Sequence, residues 1–241
     1  MKAIILAAGR GSRMKSLTKN KPKCLTILNG QTLLDCQISA LRQAGITQVA
    51  LVTGYLREKI FNLADQEFHN ARWASTNMMS SLTYAEEWLI SEPCIVSYSD
   101  IFYEPEAPSL LIRSNTDIAI TYDPDWEKLW AARFKDPLSD AETFQIDSTG
   151  RILDIGGVAT SREEIQGQFM GLLRFTPKGW NELVNLWRLL PTQIADQEDL
   201  TSMLRRIIKS NSIQVNGFPI QGDWGEIDSE TDLNLYISKA N

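Results

Sequence analysis

The residues best suited to chemistry sit within the first 25 positions. A short apolar run, Ala3 to Ala8, ends in Gly9-Arg-Gly-Ser-Arg13, and Lys21-Pro-Lys23 follows. A buried strand that opens into a glycine loop lets backbone N–H groups approach phosphate oxygens, because glycine has no Cβ in the way. The cations beside it, Arg13 and Lys23 above all, can stabilise charge on those phosphates. This pattern predicts a nucleoside triphosphate site built from Leu6, Ala7, Ala8, Gly9, Gly11, Ser12, Arg13 and Lys23.

Spacing argues against two common phosphate loops. The pattern GxxxxGK[ST] aligned on Gly9 meets Met14 where its second glycine belongs, and GxGxxG fails at the same residue. A bulky side chain there prevents the close backbone approach that either loop needs, which disfavours a P-loop ATPase and an NAD enzyme.

The run Leu6-Ala-Ala-Gly-Arg-Gly-Ser-Arg13, followed by Thr18, Pro22, Lys23 and Leu25, resembles the nucleotidyltransferase signature LAAGxGxRxxxxTxxxPKxL. The resemblance implies transfer of a nucleoside monophosphate from an NTP to a phosphorylated acceptor, with release of pyrophosphate. It assigns two separated aspartates to one Mg²⁺: Asp100, which ends Ser97-Tyr-Ser-Asp, and Asp228, in Glu226-Ile-Asp. Mg²⁺ prefers hard oxygens and commonly takes one or two carboxylates plus phosphates. Without that resemblance, either aspartate reads equally as a turn or helix cap. Lys23 is expected on the α-phosphate and the incoming acceptor, as the catalytic cation, and Arg13 on the β- and γ-phosphates. A phosphate acceptor is already anionic at neutral pH, since its second pKa lies near ~6. No general base is required, and the single histidine, His69, reads as a surface residue. Thr76, Asn77 and Ser81 fall where relatives place base-reading residues; the alternative is an ordinary polar turn and helix cap.

The segment Asp125-Trp-Glu-Lys-Leu-Trp130-Ala-Ala-Arg133-Phe-Lys-Asp-Pro137-Leu-Ser-Asp140-Ala-Glu142 resembles a stretch in cytidylyltransferases that act on small phosphorylated or phosphonate metabolites. Phosphoglutamine and hydroxyethyl- or aminoethylphosphonate enzymes look most similar, phosphocholine enzymes less so. The resemblance implies CTP as donor and a small phosphate or phosphonate as acceptor. Arg133 has a fork that matches two phosphate oxygens, or it pairs structurally with Asp140 or Glu142. Asp140 and Glu142 could hold an ammonium group. Trp126 and Trp130 share a helix face and form either an aromatic wall or core. Trp224 and Glu226 complete the expected acceptor set. A sugar-1-phosphate enzyme using UTP, GTP or dTTP is the alternative, disfavoured by the missing Gln-x-x-Pro-x-Gly motif after Ser75. A non-catalytic nucleotide-binding regulator is a second alternative, disfavoured because Lys23 and both aspartates are present.

The net charge of −6 argues against nucleic-acid binding, which needs a basic footprint. Three scattered cysteines offer neither a zinc motif nor a disulfide framework, which points to the cytoplasm. The apolar start is too short for a signal peptide, and no stretch is long enough to cross a membrane. A homo-oligomer is compatible with the sequence.

Positioning these groups falls to alternating elements. Strands are expected at 49–53, 94–99, 117–122, 168–175 and 213–215, and helices at 31–43, 55–66, 80–89, 177–190, 198–209 and 229–239. A hairpin is expected over 143–147 and 151–155. The alternation predicts an α/β, Rossmann-like, mixed and mainly parallel sheet flanked by helices, with a small inserted acceptor-binding lobe. Residues 1–241 read as a single domain, with the nucleotide-binding half at 1–123 and the acceptor-binding half, which supplies the last metal ligand, at 124–241.

Overall fold

The computed structural model describes residues 1–239. Seven strands form the main sheet: β1 (Lys2–Ala7), β2 (Gln48–Thr53), β3 (Gln66–His69), β4 (Cys94–Tyr98), β5 (Ile118–Asp123), β6 (Gln168–Phe175) and β7 (Val215–Pro219). Their spatial order is β7-β5-β6-β4-β1-β2-β3. β6 runs antiparallel to both its neighbours, while the other pairings are parallel. The mixed, mainly parallel sheet is thus as expected.

Parallel strands are apolar on both faces because helices cover both. β1 illustrates this: Ala3, Ile5 and Ala7 enter one buried cluster, and Ile4, Leu6 and Ala8 the other. On the first face lie α1 (Leu33–Gln43), α4 (Glu106–Arg113), α5 (Trp126–Arg133) and α9 (Glu230–Lys239). On the second lie α2 (Met78–Thr83), α3 (Glu86–Leu89), α6 (Pro177–Arg188) and α8 (Leu200–Ser210), with the short α7 (Thr192–Ala195) leading into α8. α1 starts at a capping box, where the Thr32 hydroxyl accepts from the Asp35 N–H at 3.0 Å, and Gly45 follows its end at φ +96°.

Two expected helices need correction. Residues 55–66 do not form a helix. Leu56 adopts a left-handed conformation (φ 49°), a single 3₁₀ turn follows at Arg57–Lys59, and the chain then becomes the edge strand β3. The Asp65 carboxylate accepts from the Val49 N–H at 2.7 Å and fixes that edge. His69 ends β3 half-buried, with Nδ1 3.2 Å from the Thr53 hydroxyl. The helix expected at 80–89 starts earlier, at Met78, and breaks at Tyr84–Ala85 into α2 and α3. The segment after β5 carries a two-stranded sheet of its own, outside the main sheet. Its hairpin, Glu142–Ile146 with Ile152–Val158, sends Phe144, Ile152 and Ile155 into one core, while Trp126, Leu129, Trp130 and Ala141 enter the other.

Two features set up the site. β1 and β4 are neighbours in register, with Leu6 opposite Tyr98, so the glycine loop and Asp100 emerge side by side at the carboxyl edge. A short antiparallel ladder then pairs Ile101–Tyr103 with Trp224–Glu226, Ile101 opposite Glu226, and the Ile227 N–H donates to the Asp100 carbonyl at 2.9 Å. This ladder carries Asp228 across more than half the chain to Asp100. Gln37, fully buried on α1, braces the turn by donating to the Tyr98 and Ile101 carbonyls at 2.9 and 2.5 Å. Gln37→Leu removes both bonds and is expected to destabilise the fold by about 1–3 kcal/mol, read from urea denaturation.

Candidate active site

The glycine loop is shaped by its surroundings. Gly11 is left-handed (φ +63°), and a Cβ there would lie 2.9 Å from Lys23 Cδ and 3.0 Å from Lys23 Cβ. Its carbonyl accepts from the Thr18 hydroxyl at 2.9 Å and from the Met14 N–H at 3.1 Å. Met14, the residue that breaks both common phosphate-loop patterns, is a core anchor at 2% exposure. Gly9 has open space around it, with no atom within 4 Å of where a Cβ would be.

Lys23 lies at the centre of the site, its side chain 7% exposed. Its ammonium donates to Asp100 Oδ2 at 2.7 Å and to Asp228 Oδ1 at 2.5 Å. Arg13, mostly exposed, reaches the same Asp228 oxygen at 2.9 Å from across the loop mouth. Burial disfavours the Lys23 charge, but attraction to Asp100 and Asp228 outweighs it and raises the pKa. Burial likewise disfavours the Asp228 charge, and Lys23 outweighs it, holding that carboxyl below its usual range.

Asp100, Glu226 and Asp228 present oxygens all within 4.8 Å of one another. Asp100 Oδ1 is buried and has no protein partner. Three hard oxygen donors with one left unsatisfied suit a divalent cation. Glu226, expected to contact the acceptor, instead belongs to this acid group while also lining the adjoining pocket. Burial first, then the charges of Asp228 and Asp100, push its pKa up to about 8.

Arg133 departs from expectation. Its side chain is 1% exposed and committed to acids other than Asp140 or Glu142. Nε donates to Asp232 Oδ1 and Nη1 to Glu226 Oε2, both at 3.0 Å, while Nη2 faces Asp228 Oδ2 at 3.8 Å. Asp232 in turn accepts from the Asp228 and Ser229 N–H groups at 3.0 and 2.9 Å, and its own N–H donates to the Ser229 hydroxyl, so Ser229 and Asp232 cap the start of α9. The guanidinium is an internal brace for the acids and not a free fork for acceptor phosphate.

Beside the acids opens a cavity of about 220 Å³. Trp130, Asp140, Glu142, Trp224 and Glu226 from the expected set line it. Asp140 accepts from Trp130 Nε1 at 3.2 Å, and Trp224 Nε1 donates to Asp123 at 2.9 Å. Trp126 is core, its Nε1 bonded to the Ile165 carbonyl. Sequence reasoning missed Tyr98, Gln168, Phe169, Asp199 and Thr201, which also line the cavity. Gly171, at φ +80° with the Tyr98 ring against it, marks the irregularity in β6 that opens this space. Glu142 is held by Gln168, whose amide brackets its backbone N–H and carbonyl at 3.2 and 2.6 Å. Glu142 is an exposed residue, but local desolvation, then the charges of Asp199 and Asp140, raise its pKa to about 7, with Arg205 opposing.

The candidate base-reading residues form a network of their own. Asn70, fully buried, donates to the Thr76 and Ser81 hydroxyls at 3.0 Å each. Asn77 is spent: its Oδ1 caps α2 through the Met78 N–H, and its Nδ2 donates to the Gln197 carbonyl. For Asn77 the helix-cap alternative is therefore the observed one. Leu6, Ala7 and Ala8 are buried at the strand end, and Ser12 is exposed on the loop.

Residues 3–151 match the model of the MobA-like NTP transferase domain. The chain belongs to this nucleotidyltransferase family. It is 34% identical over 255 residues, spanning 99% of this chain and all of the relative, to the CTP:phosphoglutamine cytidylyltransferase of Campylobacter jejuni. It is 35% identical to the choline-phosphate cytidylyltransferase of Streptococcus pneumoniae over 106 residues, 42% of this chain and 46% of the relative. The inositol-1-phosphate CTP transferase of T. maritima superposes with a TM-score of 0.77 at 21% identity, covering 98% of this chain and 94% of that one. That likeness establishes the nucleotidyltransferase fold.

Arg133→Met strips the counter-charge from buried acids and is expected to cost about 3–5 kcal/mol in urea denaturation. Arg113→Met, at the exposed pair with Glu106, is expected to leave the denaturation midpoint near wild type.

Proposed function

We propose that this protein transfers CMP from CTP to a small phosphorylated or phosphonate acceptor, releasing pyrophosphate. The observation that carries this reading is the meeting of Lys23, Asp100 and Asp228 at the glycine loop, in a family whose full-length relative is a CTP:phosphoglutamine cytidylyltransferase. The nucleotide occupies the 1–123 half, its phosphates along Gly9–Arg13 and its base near Thr76 and Ser81. The acceptor enters the cavity walled by the 124–241 half.

In the reaction an acceptor oxygen forms a bond to the α-phosphorus, and the bond to the β-phosphate oxygen breaks. Such transfers ask the protein for positioning and charge stabilisation above all. Loop N–H groups and Arg13 bind the departing pyrophosphate portion. The Lys23 ammonium draws two anions, the α-phosphate and the acceptor phosphate, to one place. Mg²⁺ is the dication that Asp100, Asp228 and Glu226 would hold, and it supplies neutralisation of the triphosphate charge when bound.

The cavity chemistry supports an acceptor with an ammonium group. Asp140, Glu142 and Asp199 present negative charge between the rings of Trp130, Trp224 and Phe169. Among the described residues, Arg205 is the one cation shown acting on Glu142, and it is already paired with Asp154 at 3.1 Å.

Two measurements test the proposal. Pyrophosphate release should occur with CTP and a panel of amine-bearing phosphates and phosphonates, and Lys23→Ala should lower turnover at least about 10³-fold with a native circular dichroism spectrum. Release with sugar phosphates alone overturns the acceptor assignment, and near-normal turnover by Lys23→Ala removes that residue from the mechanism. The second is a pH profile. Glu142 is neutral below about pH 7 and charged above it, so KM for an ammonium-bearing acceptor should fall by up to roughly tenfold from pH 6 to pH 8. Glu142→Gln should retain only the smaller dependence that comes from the acceptor phosphate, whose pKa is near ~6.

A further inference from the structure

Lys23 sits on the two aspartates proposed to hold the dication. Its ammonium bonds one oxygen of Asp100 and one of Asp228, at 2.7 and 2.5 Å, inside the group of carboxylates that could hold a metal. A Mg²⁺ ion bound to both aspartates needs oxygen distances of about 2.0–2.1 Å. It would fall within a few ångströms of the ammonium, and repulsion between a dication and a monocation at that separation in a buried site is severe. The two cations therefore compete for the pair.

The lysine has somewhere else to go. Its Cβ, Cγ and Cδ lie flat against Gly11, at 3.0, 3.1 and 2.9 Å from where a side chain there would begin. Turning only the terminal torsions moves Nζ off the acids while the stem stays on the loop. The loop is open on the Gly9 side, so the released charge stays beside the phosphate-binding backbone.

We propose that the divalent metal and the Lys23 ammonium are alternative occupants of the Asp100–Asp228 pair. The lysine is the counter-ion that keeps the two acids together in the nucleotide-free protein. An arriving dication turns it out toward the glycine loop, where the triphosphate receives it. This rests on the metal reading of the proposed function. It implies that metal and nucleotide bind cooperatively: metal alone strands a buried cation, and the nucleotide supplies the anion that relieves it. Linkage makes that coupling reciprocal.

The test is Mn²⁺ binding to the nucleotide-free protein, measured by calorimetry and electron paramagnetic resonance. Lys23→Met and Lys23→Gln, each checked for native circular dichroism, should bind Mn²⁺ about 5–150-fold more tightly than wild type. Asp100→Asn should abolish binding in both backgrounds. In the wild-type protein, pulsed acylation followed by mass spectrometry should show Lys23 protected without metal and labelled faster with saturating Mn²⁺. Equal or weaker Mn²⁺ binding by the Lys23 variants, retained binding by Asp100→Asn, or a labelling rate that ignores metal overturns the proposal. None of these readouts uses turnover. A protein that passes them yet releases pyrophosphate from no acceptor defeats the functional reading alone.

Discussion

Two carboxylates that both stay charged are not buried close together without a cation beside them. Asp228 is 8% exposed and lies within a few ångströms of Asp100 and Glu226. At such separations in a poorly solvated site, like charges repel strongly and drive one another toward protonation. Lys23 from one side and Arg133 from the other make the cluster tolerable. The two cations differ in how they are held. Arg133 is locked by two hydrogen-bonded acids and sits over the rings of Trp130 and Phe134. Lys23 is a point charge on a flexible stem laid along glycine. One is suited to permanent bracing and the other to exchange.

The topology serves this constraint. The ladder between Ile101–Tyr103 and Trp224–Glu226 lies outside the main sheet, yet it brings the last acid to the carboxyl edge. α9 then places Asp232 under the backbone of Asp228, and α5 delivers Arg133 from a third direction. Each piece comes from a different part of the chain, so the cluster exists only when the whole domain has folded.

How legible this was depended on the range of the interaction. The glycine loop is local: Gly9, Gly11, Arg13 and Lys23 carry their meaning in spacing, and the strand before them in its apolar run. Asp100 and Asp228 were legible through resemblance, because nothing in the intervening residues says that they meet. Arg133 was misassigned because a guanidinium near acids in sequence, Asp140 and Glu142, finds its partners in tertiary space at Glu226 and Asp232. Residues 55–66 were misread because Leu56 takes a left-handed conformation that its side chain does not advertise. Gln168, Asp199 and Thr201 carried no motif; only the sheet irregularity at Gly171 and the start of α8 bring them to the cavity.

That start of α8 joins the two halves of the site. Asp199 caps the helix by accepting from the Ser202 N–H at 2.6 Å, and with Thr201 it lines the cavity beside the acids. The three residues before it grip the opposite loop. The Asp196 carbonyl accepts from the Asn77 N–H, the Glu198 carbonyl from the Met79 N–H, and the Asp196 carboxylate pairs with Arg72. A single six-residue stretch therefore contacts the loop that carries Thr76 and lines the cavity beside the acids. The backbone bonds to Asn77 and Met79 tie this stretch to the loop on one side, and the α8 cap holds Asp199 at the cavity on the other. For the proposed transfer, which needs two anions brought to one phosphorus, such a strap would set the distance between the loop of Thr76 and the cavity before either is filled.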